Sequence, residues 1–287
     1  VPFANGNRLR KGYVASVMDN VADDMKANLK FVEEVDEEVS LTPEMMRTAV
    51  WLRNRYLCRY IDAVRCFTPA GEKAKRREKK DPFAGREDKT DPVKKLTEQQ
   101  TEALEKITRA IEEGKHARFL IHGVTGSGKT EIYIRAAEKT LAQGKNVIVL
   151  VPEISLTTQT IDRFTGRFGS GRMAVLHSRM TPGERYDQWK KIRDGRVDIV
   201  IGARSAVFAP LEDIGLIVMD EEHEATYKSD QTPKYDTVEV AIKRLQDRDN
   251  GGVLILGSAT PSVVTYSRAR DGIYQLLELT ERYNKVC

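Results

Sequence analysis

The chain has 287 residues, 40% hydrophobic and 31% charged, a composition that fits a globular protein with a large core and two structural units and excludes a disordered chain. No apolar run reaches the roughly 18 residues of a spanning helix, so no membrane is expected as a partner, and no charged-then-apolar leader opens the chain. The net charge of +4 sits at the front: residues 1–95 hold 20 Lys+Arg against 16 Asp+Glu, and residues 96–287 hold 27 against 27, which hints at a polyanionic partner.

Val1-Pro2-Phe3 reads as the middle of a strand, so the true N-terminus is expected upstream. Apolar alternations at Arg8–Val17 and Leu29–Val35, separated by the Asp- and Ala-rich stretch Met18–Lys26, predict a strand-rich front. From Pro43 to about Tyr60, the spacing of Met46, Val50, Leu52, Leu57 and Ile61 predicts an amphipathic helix. Cys58, Cys66 and Cys287 are scattered and odd in number, which points to a reducing, cytoplasmic setting and neither a disulfide framework nor a CxxC metal pair. Gly71–Lys95 carries ten basic and six acidic residues with almost nothing apolar, the composition of a solvated tether or of an arm that contacts nucleic acid. From Leu96 onward, strands are predicted at Phe119–Ile121, Asn146–Val151, Met173–Leu176, Asp198–Ile201, Leu216–Met219 and Val253–Leu256. Helices are predicted at Thr130–Ala142, Thr157–Phe168, Pro182–Arg193 and Val238–Asp247. That alternation implies a parallel sheet covered on both faces.

Gly123-Val124-Thr125-Gly126-Ser127-Gly128-Lys129-Thr130 is a full GxxxxGK[ST] phosphate loop, set between a strand and a helix. Its glycines let successive backbone N–H groups wrap an anion at a helix N-terminus. Lys129 is placed to reach the β- and γ-phosphates of a nucleotide, and Thr130 to ligate Mg²⁺. A second acidic component is expected at the end of a buried strand, and Leu216–Met219 runs into Asp220-Glu221-Glu222-His223. There Asp220 suits the Mg²⁺ shell and Glu221 suits the orientation or activation of a water. His223 is open to two readings, a structural histidine or one that couples the nucleotide state to its neighbours.

The acidic box together with Gly257-Ser258-Ala259-Thr260-Pro261 resembles the motif set of superfamily 2 DNA helicases. Further elements narrow the likeness to the bacterial primosomal replication-restart helicases: Leu150–Thr157, Leu176-His177-Ser178 and Ile201-Gly202-Ala203-Arg204-Ser205. Val1-Pro2-Phe3 with Gly12-Tyr13-Val14 is weakly similar to that family's 3′-end-binding DNA domain. The resemblance implies an α/β fold. Residues 1–68 would form an incomplete, strand-rich DNA-binding front, residues 69–95 a charged linker, and residues 96–287 one RecA-like P-loop motor lobe. It implies ATP and Mg²⁺ as ligands, with zinc only in a C-terminal part beyond this chain. It also implies single-stranded and forked DNA and primosome proteins as partners, and 3′ to 5′ translocation in the intact protein.

Position by position, the resemblance makes Gln100, in Leu96-Thr97-Glu98-Gln99-Gln100, the adenine-recognising glutamine. Ser258, Ala259 and Thr260 become the element that links hydrolysis to strand movement. Pro152, Glu153, Thr157, Arg204 and Ser205 would line the single-strand path, where hydroxyls, amides and an arginine suit phosphate contacts without sequence information. Tyr227, Lys228 and Tyr235 would belong to an aromatic, basic loop that senses DNA. The chain departs from the family at Arg179, at Ala203 and at Thr237-Val238-Glu239, and the winged-helix domain and second motor lobe have no counterpart. The expectation is therefore a protein truncated at both ends, inactive by itself, whose alternative reading is a DNA- and ATP-binding fragment without turnover.

Overall fold

The computed structural model describes residues 12–14, 17, 19–20, 31–35, 39–68, 95–246 and 251–283. Two helices come first, α1 (Pro43–Tyr56) and α2 (Tyr60–Arg65). Helix α3 (Glu98–Glu112) then leads into β1 (Ala117–Gly123), α4 (Lys129–Ala142), β2 (Asn146–Leu150), α5 (Thr158–Phe168) and β3 (Met173–Leu176). Next come α6 (Pro182–Arg193), β4 (Ile199–Gly202), β5 (Ile214–Asp220), α7 (Thr237–Gln246), β6 (Val253–Ser258), α8 (Val263–Arg270) and β7 (Gln275–Leu279). No described helix is long and apolar enough to cross a membrane.

The seven strands form one sheet in the order β3-β4-β2-β5-β6-β1-β7, and every pairing is parallel. This is the expected α/β lobe, and the physical cause is visible along β5. Ile217 and Met219 enter the core on one face, while Leu216 and Val218 enter the core on the other. A strand buried on both sides has no polar alternation to show, so it reads as a continuous apolar run. Helices α3, α4 and α5 cover one face through Ile107, Ile132 and Phe164. The opposite face is covered by α7 and, from the front of the chain, by α1 and α2.

The front helices differ in detail from expectation. The helix predicted to about Tyr60 stops at Tyr56, because Leu57 takes the left-handed region at φ 50° and its side chain is 91% exposed. Met45, Ala49 and Leu52 form the buried face, with Met46 and Val50 only half-buried beside it. Over 31–35 no strand forms, and Phe31 and Val35 point to solvent. Residues 12–14 and 17 form no strand either, and the remainder of the two predicted alternations, with the linker at 69–94, lies outside the described residues.

Helices α1 and α2 are fastened to the lobe by polar contacts as well as by packing. Arg244 of α7, fully buried, donates from Nε and Nη2 to the two carboxylate oxygens of Glu44 (3.1 and 2.9 Å) and from Nη1 to the carbonyls of Val207 and Ala209 (2.6 and 2.9 Å). Trp189 Nε1 donates to the Phe67 carbonyl at 2.8 Å. Tyr56 accepts from the Asp236 N–H at 3.1 Å and donates to Glu239 at 2.7 Å, and Arg55 grips Glu239 with two hydrogen bonds.

Candidate active site and nucleic-acid face

In a parallel sheet the loops after the strands gather along one edge, and ligands collect there. The strand order puts β6 between β1 and β5. The phosphate loop after β1 and the acidic box at the end of β5 therefore flank Ser258, the last residue of β6. The ladder pairs Asp220 with Gly257 and His122 with Ser258.

The loop's conformation suits an anion. Gly126 and Gly128 sit at φ 81° and 83°, where a side chain is strained. At Gly128 a Cβ would also collide with Gln100 Nε2. Gly128 caps α4 without a side-chain hydrogen bond, so the first N–H groups of a 14-residue helix stay available. Lys129, buried, donates to the Gly123 carbonyl at 2.8 Å, and among the described residues the buried Ser127 hydroxyl has no partner. Orphaned donors around a turn of glycines fit a phosphate group. Val124 and Thr125 are exposed at the tip and Thr130 is half-buried at the first turn of α4.

Gln100 lies beneath this loop, 1% exposed. Its Nε2 donates to the Ser127 carbonyl at 2.7 Å, and its Oε1 accepts from the Thr97 N–H at 2.9 Å in a capping box that starts α3. Both ends of the side chain are thus engaged with the backbone, and its visible task is to hold the phosphate loop.

Asp220 is enclosed. Tyr133 Oη donates to its Oδ1 at 3.0 Å, and Tyr227 Oη donates to its carbonyl at 2.7 Å. Burial and the neighbouring Glu221 push its carboxyl above the usual range, while the Tyr133 hydroxyl and Lys129 pull it back. Burial, with Asp220 next to it, pushes the Tyr133 phenol far above its ordinary value, so it remains a donor. Lys129 and Asp220 bring opposite charges to one cleft with the Thr130 hydroxyl, a donor set that fits a nucleotide with a divalent cation. Glu221 adopts φ 48°, a left-handed conformation that costs a non-glycine residue free energy and is concentrated at functional sites.

The next two residues of the box reach other elements. Glu222, buried, accepts from the Ser262 N–H at 2.7 Å and the Thr265 hydroxyl at 2.9 Å, capping α8. His223 Nδ1 lies 2.8 Å from Ser258 Oγ, which also accepts from the Thr260 N–H at 3.0 Å. Ala259 is half-buried and Thr260 exposed. The acidic box and the Ser-Ala-Thr element therefore touch.

The residues expected along a nucleic-acid path fall into two groups. Pro152, Glu153, Thr157 and Ser205 stand at the same edge, after β2 and β4. Glu153 accepts from the Ser178 N–H at 3.3 Å, Thr157 caps α5, and Thr157 and Ser205 are exposed. The second group is turned inward. Arg204 donates to the carbonyls of Thr226 (3.2 Å) and Lys228, tying down the loop after the box. Tyr227 and Tyr235 are only 3% and 7% exposed, so neither ring offers a face for a base; Tyr235 packs edge-on against Phe208. Lys228 is exposed on that loop. Sequence reasoning missed Tyr133 and Glu222. Tyr133 had a usable signal: four residues after Lys129 on a helix, it must share that residue's face.

A family model described as DEAD/DEAH box helicase matches residues 92–268, and one described as the 3′ DNA-binding domain (3′BD) matches residues 1–69. The replication restart protein PriA of Bacillus subtilis (strain 168) is 53% identical over 68% of this chain and 24% of its own length. PriA of Treponema pallidum (strain Nichols) is 40% identical over 88% of this chain and 37% of its own length. The chain thus spans about a quarter to two-fifths of these relatives. Among solved structures, RecG bound to a three-way DNA junction aligns at TM-score 0.49 and 23% identity, covering 66% of this chain and 24% of that one.

Proposed function

The chain belongs to the DEAD/DEAH box helicases, and from that premise we propose that it is the front and first motor lobe of an ATP-dependent DNA helicase acting in replication restart and primosome assembly. The observation that carries the reading is the 2.8 Å contact between His223 and Ser258, which joins the acidic box to the Ser-Ala-Thr element beside an intact phosphate loop. A phosphate-binding loop alone serves many reactions; that junction is what a nucleotide-driven motor needs.

In this reading the units are 1–68, 69–95 and 96–287. The backbone of Gly123–Gly128, with Lys129, holds the phosphates, and Gln100 holds that loop in place from beneath. Thr130 and Asp220 hold Mg²⁺, which neutralises phosphate charge when bound. Glu221 orients a water toward the γ-phosphorus and takes its proton as the bond to the ADP oxygen breaks. Ser258, Ala259 and Thr260, through His223, pass the change to the strand path lined by Glu153, Thr157 and Ser205, with the buried Pro152 shaping the turn behind them. Lys228 supplies charge there, while Arg204, Tyr227 and Tyr235 brace the loop behind it. The whole protein moves 3′ to 5′ on single-stranded and forked DNA with primosome partners, in the cytoplasm, where Cys58 and Cys66 stay free thiols. Zinc belongs to segments outside this chain.

Turnover is assigned to the whole protein. Arginine fingers contribute ~10³–10⁵ in rate in other nucleotide hydrolases, and in this reading the arginine comes from a second lobe. The test is ATPase activity, with and without forked DNA, together with Mg²⁺–ATP binding, on this chain and on Lys129→Ala. Binding that is lost in the variant, with negligible turnover, supports the proposal. Robust DNA-stimulated turnover by this chain would refute the division of labour, and no nucleotide binding would refute the site.

A further inference from the structure

The Tyr133 side chain is buried to 1% exposure on α4, in a position where packing alone would accept phenylalanine. A buried phenol needs a hydrogen-bond partner, and leaving it without one is costly. Here the partner is the carboxylate of Asp220, 3.0 Å away across the sheet edge. Room for the hydroxyl is provided by a third element. A Cβ on Gly257, at the end of β6, would occupy the space of Tyr133 Oη and come within 3.4 Å of Asp220 Oδ1. Helix α4, strand β5 and strand β6 are thus matched at one point: a tyrosine, a carboxylate and a residue without a side chain.

We propose that Tyr133 is a positioning residue for the divalent cation, setting the plane of the Asp220 carboxylate that would receive it. The inference rests on the nucleotide-binding reading above and deepens it. Groups that hydrogen-bond a metal-binding carboxylate fix its orientation, and their loss typically weakens metal affinity by about 10–100-fold. Tyr133 is suited to the task because it rides on the same helix as Lys129 and Thr130. The hydroxyl therefore ties the cation's carboxylate to the loop that holds the phosphates, and the spacing between the two halves of the site does not depend on the sheet alone. Tyr227 braces the same residue from the other side, but at its backbone carbonyl, which leaves the side-chain orientation to Tyr133.

The experiment compares this chain with Tyr133→Phe, which keeps the ring, by titrating ADP once with Mg²⁺ and once with EDTA. Mn²⁺ in place of Mg²⁺ then gives an electron paramagnetic resonance readout of the bound ion. The expected result is ADP affinity in EDTA unchanged within about two-fold, and a roughly ten-fold smaller gain on adding Mg²⁺. A broadened Mn²⁺ spectrum should accompany it. Gly257→Ala, which displaces the hydroxyl, should lose the same part of the gain. An unchanged Mg²⁺ gain in Tyr133→Phe overturns the proposal. An equal loss in EDTA and in Mg²⁺ also overturns it, as damage to packing. If the parent chain binds no ADP in either condition, the phosphate-loop reading falls first, and this inference with it.

Discussion

The buried pair between Glu44 and Arg244 decides whether the front helices are part of the lobe or lean on it. Arg244→Met removes a guanidinium with no exposed surface and four hydrogen bonds. It leaves Glu44, itself 7% exposed, with the Thr48 hydroxyl at 3.1 Å, and it leaves the Val207 carbonyl without its donor. Breaking one half of a buried ion pair costs about 3–5 kcal/mol, against a typical total stability of about 5–15 kcal/mol. Glu44→Gln keeps one acceptor and should cost less, about 1–3 kcal/mol. The double variant Glu44→Leu with Arg244→Met removes both charges, so it should be more stable than Arg244→Met alone, with a coupling of about 2 kcal/mol. Urea unfolding read by tryptophan fluorescence is well placed to measure this. The two tryptophans are Trp51, on α1, and Trp189, whose Nε1 is bonded to Phe67. A cost below about 1 kcal/mol for Arg244→Met, or additive costs in the double variant, would refute the claim that this pair locks the two parts together.

Two further outcomes are expected. Gln100→Ala loses the bonds to Ser127 and Thr97, so it should cost about 1–2 kcal/mol in thermal stability and weaken ADP and GDP by the same factor; a loss confined to ADP in parallel titrations would mean that the glutamine reads the base instead. The Arg55 guanidinium, together with the Tyr56 hydroxyl, holds the Glu239 carboxyl below its ordinary value against the opposing effect of burial. A depressed carboxyl contributes stability above its unfolded pKa of about 4.3 and loses it as pH falls through the folded value. The urea midpoint should therefore fall below about pH 4.3 less steeply in Arg55→Ala than in the parent, and identical slopes would count against that contact.

The central strands were legible because each is buried on both faces and so appears as an uninterrupted apolar run, and their ends differ from expectation by at most two residues. Strand β7 was missed for the converse reason. It pairs only with β1 at the sheet's edge, and two of its five residues, Gln275 and Glu278, are exposed, so no apolar run announces it. Helix α8 was missed because Val263 and Val264 face solvent, 87% and 60% exposed, which defeats any search for an apolar stripe. The misjudged face of α1 turns on Ala49, a fully buried small residue that a search for large apolar side chains passes over. The pair Glu44–Arg244 is illegible on principle: 200 residues separate the partners, and Glu44 alone reads as an ordinary acid in a helix's first turn. The loop tyrosines were misjudged on exposure. Alternation of aromatic and basic residues is what a stacking loop would have, but the short 3₁₀ turn at Ala225–Tyr227 swings the Tyr227 ring under Asp220.

The acidic box, which sequence reads as one motif, is divided by the fold among different elements. Asp220 is held by α4 through Tyr133, Glu222 by the start of α8, and His223 by the end of β6, while Glu221 is left in a strained turn between them. Substitutions along four consecutive residues should therefore fail in different ways. At Asp220 the loss falls on the cation, at Glu222 on the register of α8, and at His223 on communication with Ser258. Glu221 stands apart, because it is the residue of the four whose backbone conformation itself costs free energy. Strain of that kind persists only where surrounding contacts over-determine it, and the flanking anchors supply them. The rigidity of Asp220, Glu222 and His223 is thus the physical condition for the geometry of Glu221.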